Sequence, residues 1–230
     1  MSTITQRLET VRARITQAEE HAGRLPGSVQ LLAVSKTRPA EDIRAALQAG
    51  QTRFGESYLQ DALPKIEALD GEAIEWHFIG PIQSNKTRDI ARHFAWVHSV
   101  DRLKIARRLS EQRPDNLPPL NICLQINISG EVSKSGVVPQ DAGSLAQAIA
   151  ELPRLRLRGL MAIPAAVADE AQQRIPFSRM RKLYESLNHH GLHLDTLSMG
   201  MSNDFEVAIE EGATIVRIGS AIFGPRPTRP

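Results

Sequence analysis

Short apolar runs alternate with amphipathic stretches along most of this chain. Residues 30–34, 52–55, 75–79, 96–99, 121–128, 155–163, 196–199 and 214–218 are short and apolar on both faces, as strands buried on two sides must be. Helices are predicted between them, over 41–49 behind Pro39, 86–93, 177–190, 204–211 and a short turn at 221–223. Three more carry end signals: Ser57 as cap of 57–69 with Pro64 kinking or splitting it, Asp101 as cap of 101–112, and Pro139 opening 139–152. Before the first strand, 3–21 reads as a helix, with Thr3 and Gln6 in a capping-box pattern and Ile4, Leu8, Val11, Ile15 and Ala18 on one stripe. Gly23 and Pro26 close it.

Strand and helix in eightfold alternation predict an α/β fold, a (β/α)8 TIM-type barrel. One domain spanning 1–230 is expected, with the first helix as an N-terminal addition. An open doubly wound sheet is the competing architecture, but no Gly-x-Gly-x-x-Gly follows the first strand. Internal repeats and low-complexity segments are absent from the sequence.

Composition narrows the function. Hydrophobic residues are 41% and charged residues 23%, and the formal net charge is +2 with no long basic run, so a nucleic-acid partner is not expected. The basic clusters at 107–108 and 179–182 read as solvated helix faces. The single cysteine, Cys123, sits in an apolar run and reads as a buried structural thiol. No apolar leader or membrane-length segment is seen, and a reducing cytoplasm is the expected location, without a membrane partner.

In such barrels the chemistry sits at strand C-termini and in the loops after them. Lys36 directly follows the first strand, where an amine in an apolar wall loses proton affinity and can attack a carbonyl. The seventh loop, 198–204, and the eighth, 217–224, are rich in small residues that let the backbone approach an anion, a helix start at Ser220 aims N–H groups at it, and the hydroxyls of Ser202 and Ser220 can add donors for a phosphate. An aldehyde-accepting lysine with a phosphate grip suits pyridoxal 5'-phosphate (PLP), bound as a Schiff base. Arg217 is the candidate partner for the ring nitrogen, and its permanent charge would keep that nitrogen unprotonated. A surface ion pair with Glu210 or Glu211 is its competing role. His77 could pack beside the cofactor or serve as a hydrogen-bonded barrel histidine, and Lys134 is a second amine to consider. His189, His190 and His193 lie around a helix exit and read as a solvated turn, so no metal is expected.

These segments together resemble the pyridoxal phosphate homeostasis protein family, which has the alanine-racemase-like barrel without its second domain. The likeness rests on Ala33 to Thr37, Phe54 to Tyr58, Trp76 to Gly80, Gln83 to Lys86, Gln125 to Asn127, Lys134 to Gly136, Gly159 to Met161, Ser198 to Asp204, and Val216 to Gly224. It implies a PLP-binding protein of vitamin B6 and amino-acid balance without established turnover. It also implies that Lys36 carries the Schiff base, that Arg217 faces the ring nitrogen and that Ser202, Gly219 and Ser220 hold the phosphate. Met201 and His77 complete the expected cofactor-binding set, and no catalytic residue is assigned. Where the family usually has Asn after Gly-Glu, this chain has Ser57, which offers no amide.

Two other functions compete. A PLP-dependent amino-acid racemase would need an acid–base group on each face of its substrate, and no further domain beyond Pro230 is expected to supply the second. A cofactor-free Schiff-base enzyme for sugar phosphates would leave Arg217 unexplained. The carrier reading makes PLP-accepting apoenzymes the expected partners, and a monomer is expected.

Overall fold

The computed structural model describes residues 2–131 and 134–225. Residues 132–133 and both ends of the expected 1–230 domain, Met1 and 226–230, lie outside the described residues. Helix α1 (Ile4–His21) comes first, followed by β1 (Gln30–Val34), α2 (Ala40–Gln48), β2 (Arg53–Glu56), α3 (Leu59–Ala68) and β3 (Glu75–Phe78). The alternation continues through α4 (Thr87–His93), β4 (Trp96–Val100), α5 (Leu103–Gln112), β5 (Leu120–Gln125), α6 (Ala142–Ala150) and β6 (Leu155–Met161). It ends with α7 (Glu170–His189), β7 (Thr196–Ser198), α8 (Phe205–Glu210), β8 (Ile215–Ile218) and α9 (Ser220–Phe223). The strands run parallel in chain order and β8 returns to pair with β1, so the sheet is the expected closed barrel.

The N-terminal helix has the predicted capping box: Thr3 Oγ1 accepts from the Gln6 N–H, and the Gln6 side chain accepts from the Thr3 N–H. Its stripe of Leu8, Val11, Ile15 and Ala18 is buried. Glu19 is buried too, because its carboxylate accepts the Gly27 and Val29 N–H groups at 3.0 and 2.7 Å. That contact fixes the chain where it turns from α1 into the barrel.

Several helix ends differ from expectation. Ser57 is not a cap: α3 starts at Leu59 behind Tyr58, and no side chain caps it. Asp101 is not a cap either, since its carboxylate holds the neighbouring Arg102 guanidinium at 2.8 Å instead. Pro64 neither splits nor ends α3, which runs on to Ala68. Pro176 lies inside α7, which therefore begins at Glu170 rather than at 177, with Asp169 accepting from the Gln172 N–H. Each proline forfeits one backbone bond to the residue four positions before it, Gln60 for Pro64 and Gln172 for Pro176, both in the first turn of their helices. The fifth and sixth strands stop at Gln125 and Met161, short of the expected 128 and 163, and release the residues beyond into loops.

Leu32, Trp96, Cys123, Met161 and Ile215 pack together inside the barrel as a cluster separate from the outer helix–strand core. Burial pushes the Cys123 thiol up to about 12, so it is a packing group there and not a nucleophile. Among the described residues no helix is long and apolar enough to cross a membrane.

The β6–β7 seam depends on one glycine. Gly159 pairs with Thr196, and a Cβ on Gly159 would stand 1.7 Å from the Thr196 carbonyl oxygen. Gly159→Ala must push the two backbones apart, and a loss of stability on the order of 3 kcal/mol is expected in chemical denaturation.

Candidate functional site

The end of β1 is held by buried polar groups. Ser35 donates its N–H to Gly55 O at 3.0 Å and its hydroxyl to Glu56 Oε1 at 2.5 Å. Lys65 reaches in from α3, with Nζ at 2.6 Å from the same carboxylate oxygen and 3.1 Å from the Ser35 carbonyl. Burial pushes the Glu56 carboxyl up, and the Lys65 ammonium pulls against it. The Arg38 N–H then donates back to Ser35 O at 3.0 Å, closing a tight turn across Lys36 and Thr37. Thr37 takes φ +65° there, a conformation a β-branched side chain rarely adopts, so the turn is strained and its anchors must hold it.

Across the mouth, the loops after β7 and β8 lie against this turn. Gly200 has φ +93°, and its carbonyl accepts the Arg217 N–H at 3.0 Å. Asp204 Oδ1 accepts the Met201 N–H at 2.6 Å. The Ser220 hydroxyl donates to Ser202 Oγ at 3.1 Å, which also accepts the Ala221 N–H at 3.4 Å. A Cβ on Gly219 would lie 3.3 Å from the Val34 carbonyl, so the glycine lets the eighth loop pack closely on the end of β1.

Between these walls is a cavity of about 750 Å³. Lys36, Arg38, Ser57, Met201, Ser202, Arg217, Gly219 and Ser220 line it, with Ile79, Ile163 and Val167 as apolar cover. Six of the seven expected cofactor-binding residues are thus brought together. His77 is placed elsewhere. It is buried in the barrel interior, with Nδ1 2.9 Å from His98 Nε2 and Nε2 3.0 Å from Glu75 Oε1, which is the barrel-histidine role.

Arg217 is almost fully buried and does not pair with Glu210 or Glu211, which are held by Arg174. Its guanidinium donates to Ser198 Oγ and to the Ala162 carbonyl, both at 2.8 Å. Burial lowers it to about 10, which still leaves it charged at neutral pH. His98 Nδ1 also meets Ser198 Oγ, at 2.8 Å. Burial holds both histidines below their ordinary value, His98 well below it, with the neighbouring His77 and Arg217 adding to the effect at His98.

The remaining candidates lie away from the cavity. Lys134 pairs with Glu131 at 2.8 Å. Tyr58 is exposed, and the Tyr184 hydroxyl donates to Leu194 O at 2.7 Å. His189 and His190 are exposed, and among the described residues no group of three or more ligand-type side chains could hold a metal. Sequence reasoning missed Arg38, Asp204 and the cover at 163–168. Arg38 was within reach, two positions beyond Lys36, but the cover residues are apolar or small and carry no chemical signal.

A single barrel with a lysine at the mouth of its first strand and a hydroxyl-lined cradle in its last two loops defines a class. The sequence model of the family described as "Alanine racemase, N-terminal domain" matches residues 6–227. A Pseudomonas aeruginosa protein named "Pyridoxal phosphate homeostasis protein" is 62% identical over 98% of this chain and 97% of its own length. An Escherichia coli K12 protein of the same name is 52% identical, covering 98% of each. Among solved structures, PipY of Synechococcus elongatus with PLP bound superposes with a TM-score of 0.84 at 36% identity, covering 96% of this chain and 100% of that one. The alanine racemase of Corynebacterium glutamicum shares the fold, with a TM-score of 0.70 at 19% identity over 95% of this chain and 62% of that one. The chain belongs to the alanine racemase N-terminal-domain family and, within it, to the pyridoxal phosphate homeostasis proteins.

The buried histidines give an acid limit to stability. Both have depressed values in the folded state, so below about their ordinary 6.5 the unfolded chain binds protons that the folded one does not. Their contribution is fully present above 6.5 and is lost as pH falls through the window beneath it. A slope of up to about 1.4 kcal/mol per pH unit per histidine is expected. Urea denaturation between pH 7 and 5 checks it, and His98→Gln should remove one histidine's share of the slope.

Proposed function

We propose that this protein binds PLP through a Schiff base at Lys36 and holds it for intracellular PLP homeostasis. The observation that carries this reading is the meeting of Lys36, Arg217 and the Ser202–Ser220 hydroxyl pair around one cavity of about 750 Å³. The names of the Pseudomonas and Escherichia relatives support it, as does PLP bound in PipY at 36% identity.

The residues present fit the cofactor. PLP supplies an aldehyde, a phosphate and a ring nitrogen. Lys36 would receive the first. Ser202, Gly219 and Ser220 would hold the second with hydroxyl and backbone donors, where a helix start adds a favourable dipole. Arg217 would meet the third as a pure donor, which keeps the nitrogen unprotonated and the ring a weak electron sink. Met201 and Ser57 would bound the ring from the cavity walls, while His77 would act only from within the barrel.

Holding suits this cavity better than turnover. Racemisation needs an acid–base group on each face of a substrate, and neither tyrosine lines the cavity. Ile163 and Val167, which cover it, are themselves exposed, so the site stays open to water and to exchange. We place the protein in the cytoplasm, in keeping with its one buried thiol, and read it as a monomer that passes PLP to apoenzymes.

Wild-type protein mixed with PLP is expected to show a visible absorption band that is absent in Lys36→Ala, and borohydride reduction with peptide mapping should label Lys36. Lys36→Ala should keep part of its PLP affinity, because the phosphate cradle does not use the amine. Labelling of Lys134 as the main site would overturn the assignment.

A further inference from the structure

A chain of hydrogen bonds crosses the barrel from this cavity to the opposite mouth. It runs from Arg217 Nη1 to Ser198 Oγ (2.8 Å), from Ser198 Oγ to His98 Nδ1 (2.8 Å), from His98 Nε2 to His77 Nδ1 (2.9 Å) and from His77 Nε2 to Glu75 Oε1 (3.0 Å). Arg217, Ser198, His98 and His77 are buried, whereas Glu75, the first residue of β3, has a side chain 41% exposed and also faces Arg53 at 3.2 Å. Trp96 stacks on His77 with 4° between the rings and fixes that ring's plane.

The two ends of the chain decide every proton in it. A guanidinium can only donate, and an ionised carboxylate can only accept. Glu75 is held below the usual carboxylate range, first by the His77 hydrogen bond, and so is ionised at neutral pH. His77 must then present Nε2–H to Glu75 and a lone pair at Nδ1. His98 must donate Nε2–H to that lone pair and expose its own Nδ1, which takes the Ser198 hydroxyl proton. Ser198 is left with oxygen lone pairs facing Arg217, the arrangement its guanidinium needs. The reverse order would set the His77 Nε2 lone pair against a carboxylate.

We propose that Glu75, His77, His98 and Ser198 form a one-way hydrogen-bond relay that orients Arg217 in the cavity from the far mouth of the barrel. An apolar filling would serve barrel stability equally well, since desolvating polar groups offsets most of what their bonds return. What a polar relay adds is direction. Each member has one allowed tautomer or rotamer, and the last member to be fixed is the guanidinium lining the cavity. Glu75, His77, His98 and Ser198 are therefore positioning residues.

Long-range ¹H–¹⁵N correlation spectra of the labelled protein without ligand read the tautomers directly. His77 and His98 are expected as Nε2–H forms. Glu75→Gln, at a half-exposed position and of equal size, offers a donor as well as an acceptor and is expected to release the Nδ1–H form in one or both. Nδ1–H histidines in the wild type, or tautomers indifferent to Glu75→Gln, would overturn the relay. In a second arm, PLP is the probe. Glu75→Gln and His98→Leu are expected to shift its bound absorption band and to weaken binding about tenfold, the loss of one ordered hydrogen-bonded constraint. A wild-type spectrum and affinity in Glu75→Gln would overturn the hold on Arg217. This arm rests on the reading that Arg217 faces bound PLP. Wild-type protein that takes up no PLP would defeat that reading, while the tautomer spectra still decide the relay.

Discussion

The pairing of the last strand with the first is the constraint on which the site depends. β8 aligns with β1 so that Leu32 meets Arg217 and Ala33 meets Ile218. That register sets the end of β1, with Lys36 just beyond it, beside the loop carrying Gly219 and Ser220. Residues almost two hundred positions apart then share a wall, although neither strand exceeds five residues. Local propensity could not bring them together. Closure does so because each strand has a helix covering its outer face and a partner on either edge.

Around the mouth of the barrel, the chain accepts local cost to hold its functional groups. Thr37 occupies a left-handed conformation, and a charged pair is buried between β2 and α3. A lone buried carboxylate would be prohibitive, but Glu56 has an ammonium and a hydroxyl in contact. The same rule holds in the lumen, where two neutral histidines have partners at all four ring nitrogens. The apolar helix faces outside supply the stability from which these arrangements draw.

Much of this was legible in the residues. The eight short apolar runs marked the strands because buried parallel strands have no polar face to confuse them. Lys36, Ser202, Gly219 and Ser220 were visible because small and chemically distinct residues stood at strand ends, where a barrel gathers its chemistry. Less legible was anything decided by three-dimensional neighbours. Ser57 and Asp101 have the chemistry of caps, but one faces the cavity and the other is taken by Arg102. The helix expected from 177 begins at Glu170, because sequence does not say whether a preceding turn is stabilised by a cap such as Asp169. His77 is separated from the cavity by His98 and Ser198, and no spacing in the sequence reports that stacking order.

The ion pair beneath the first turn bears on chemoselectivity. Aldehydes condense with any accessible amine, and two lysines approach the mouths of the first two strands. Lys65 is buried and spends its ammonium on Glu56 and the Ser35 carbonyl, outside the cavity lining. Lys36 stands on the cavity side of the same turn. The carboxylate that braces the backbone thus also keeps Lys65 out of the cavity, and among the described residues Lys36 is the lysine that lines it.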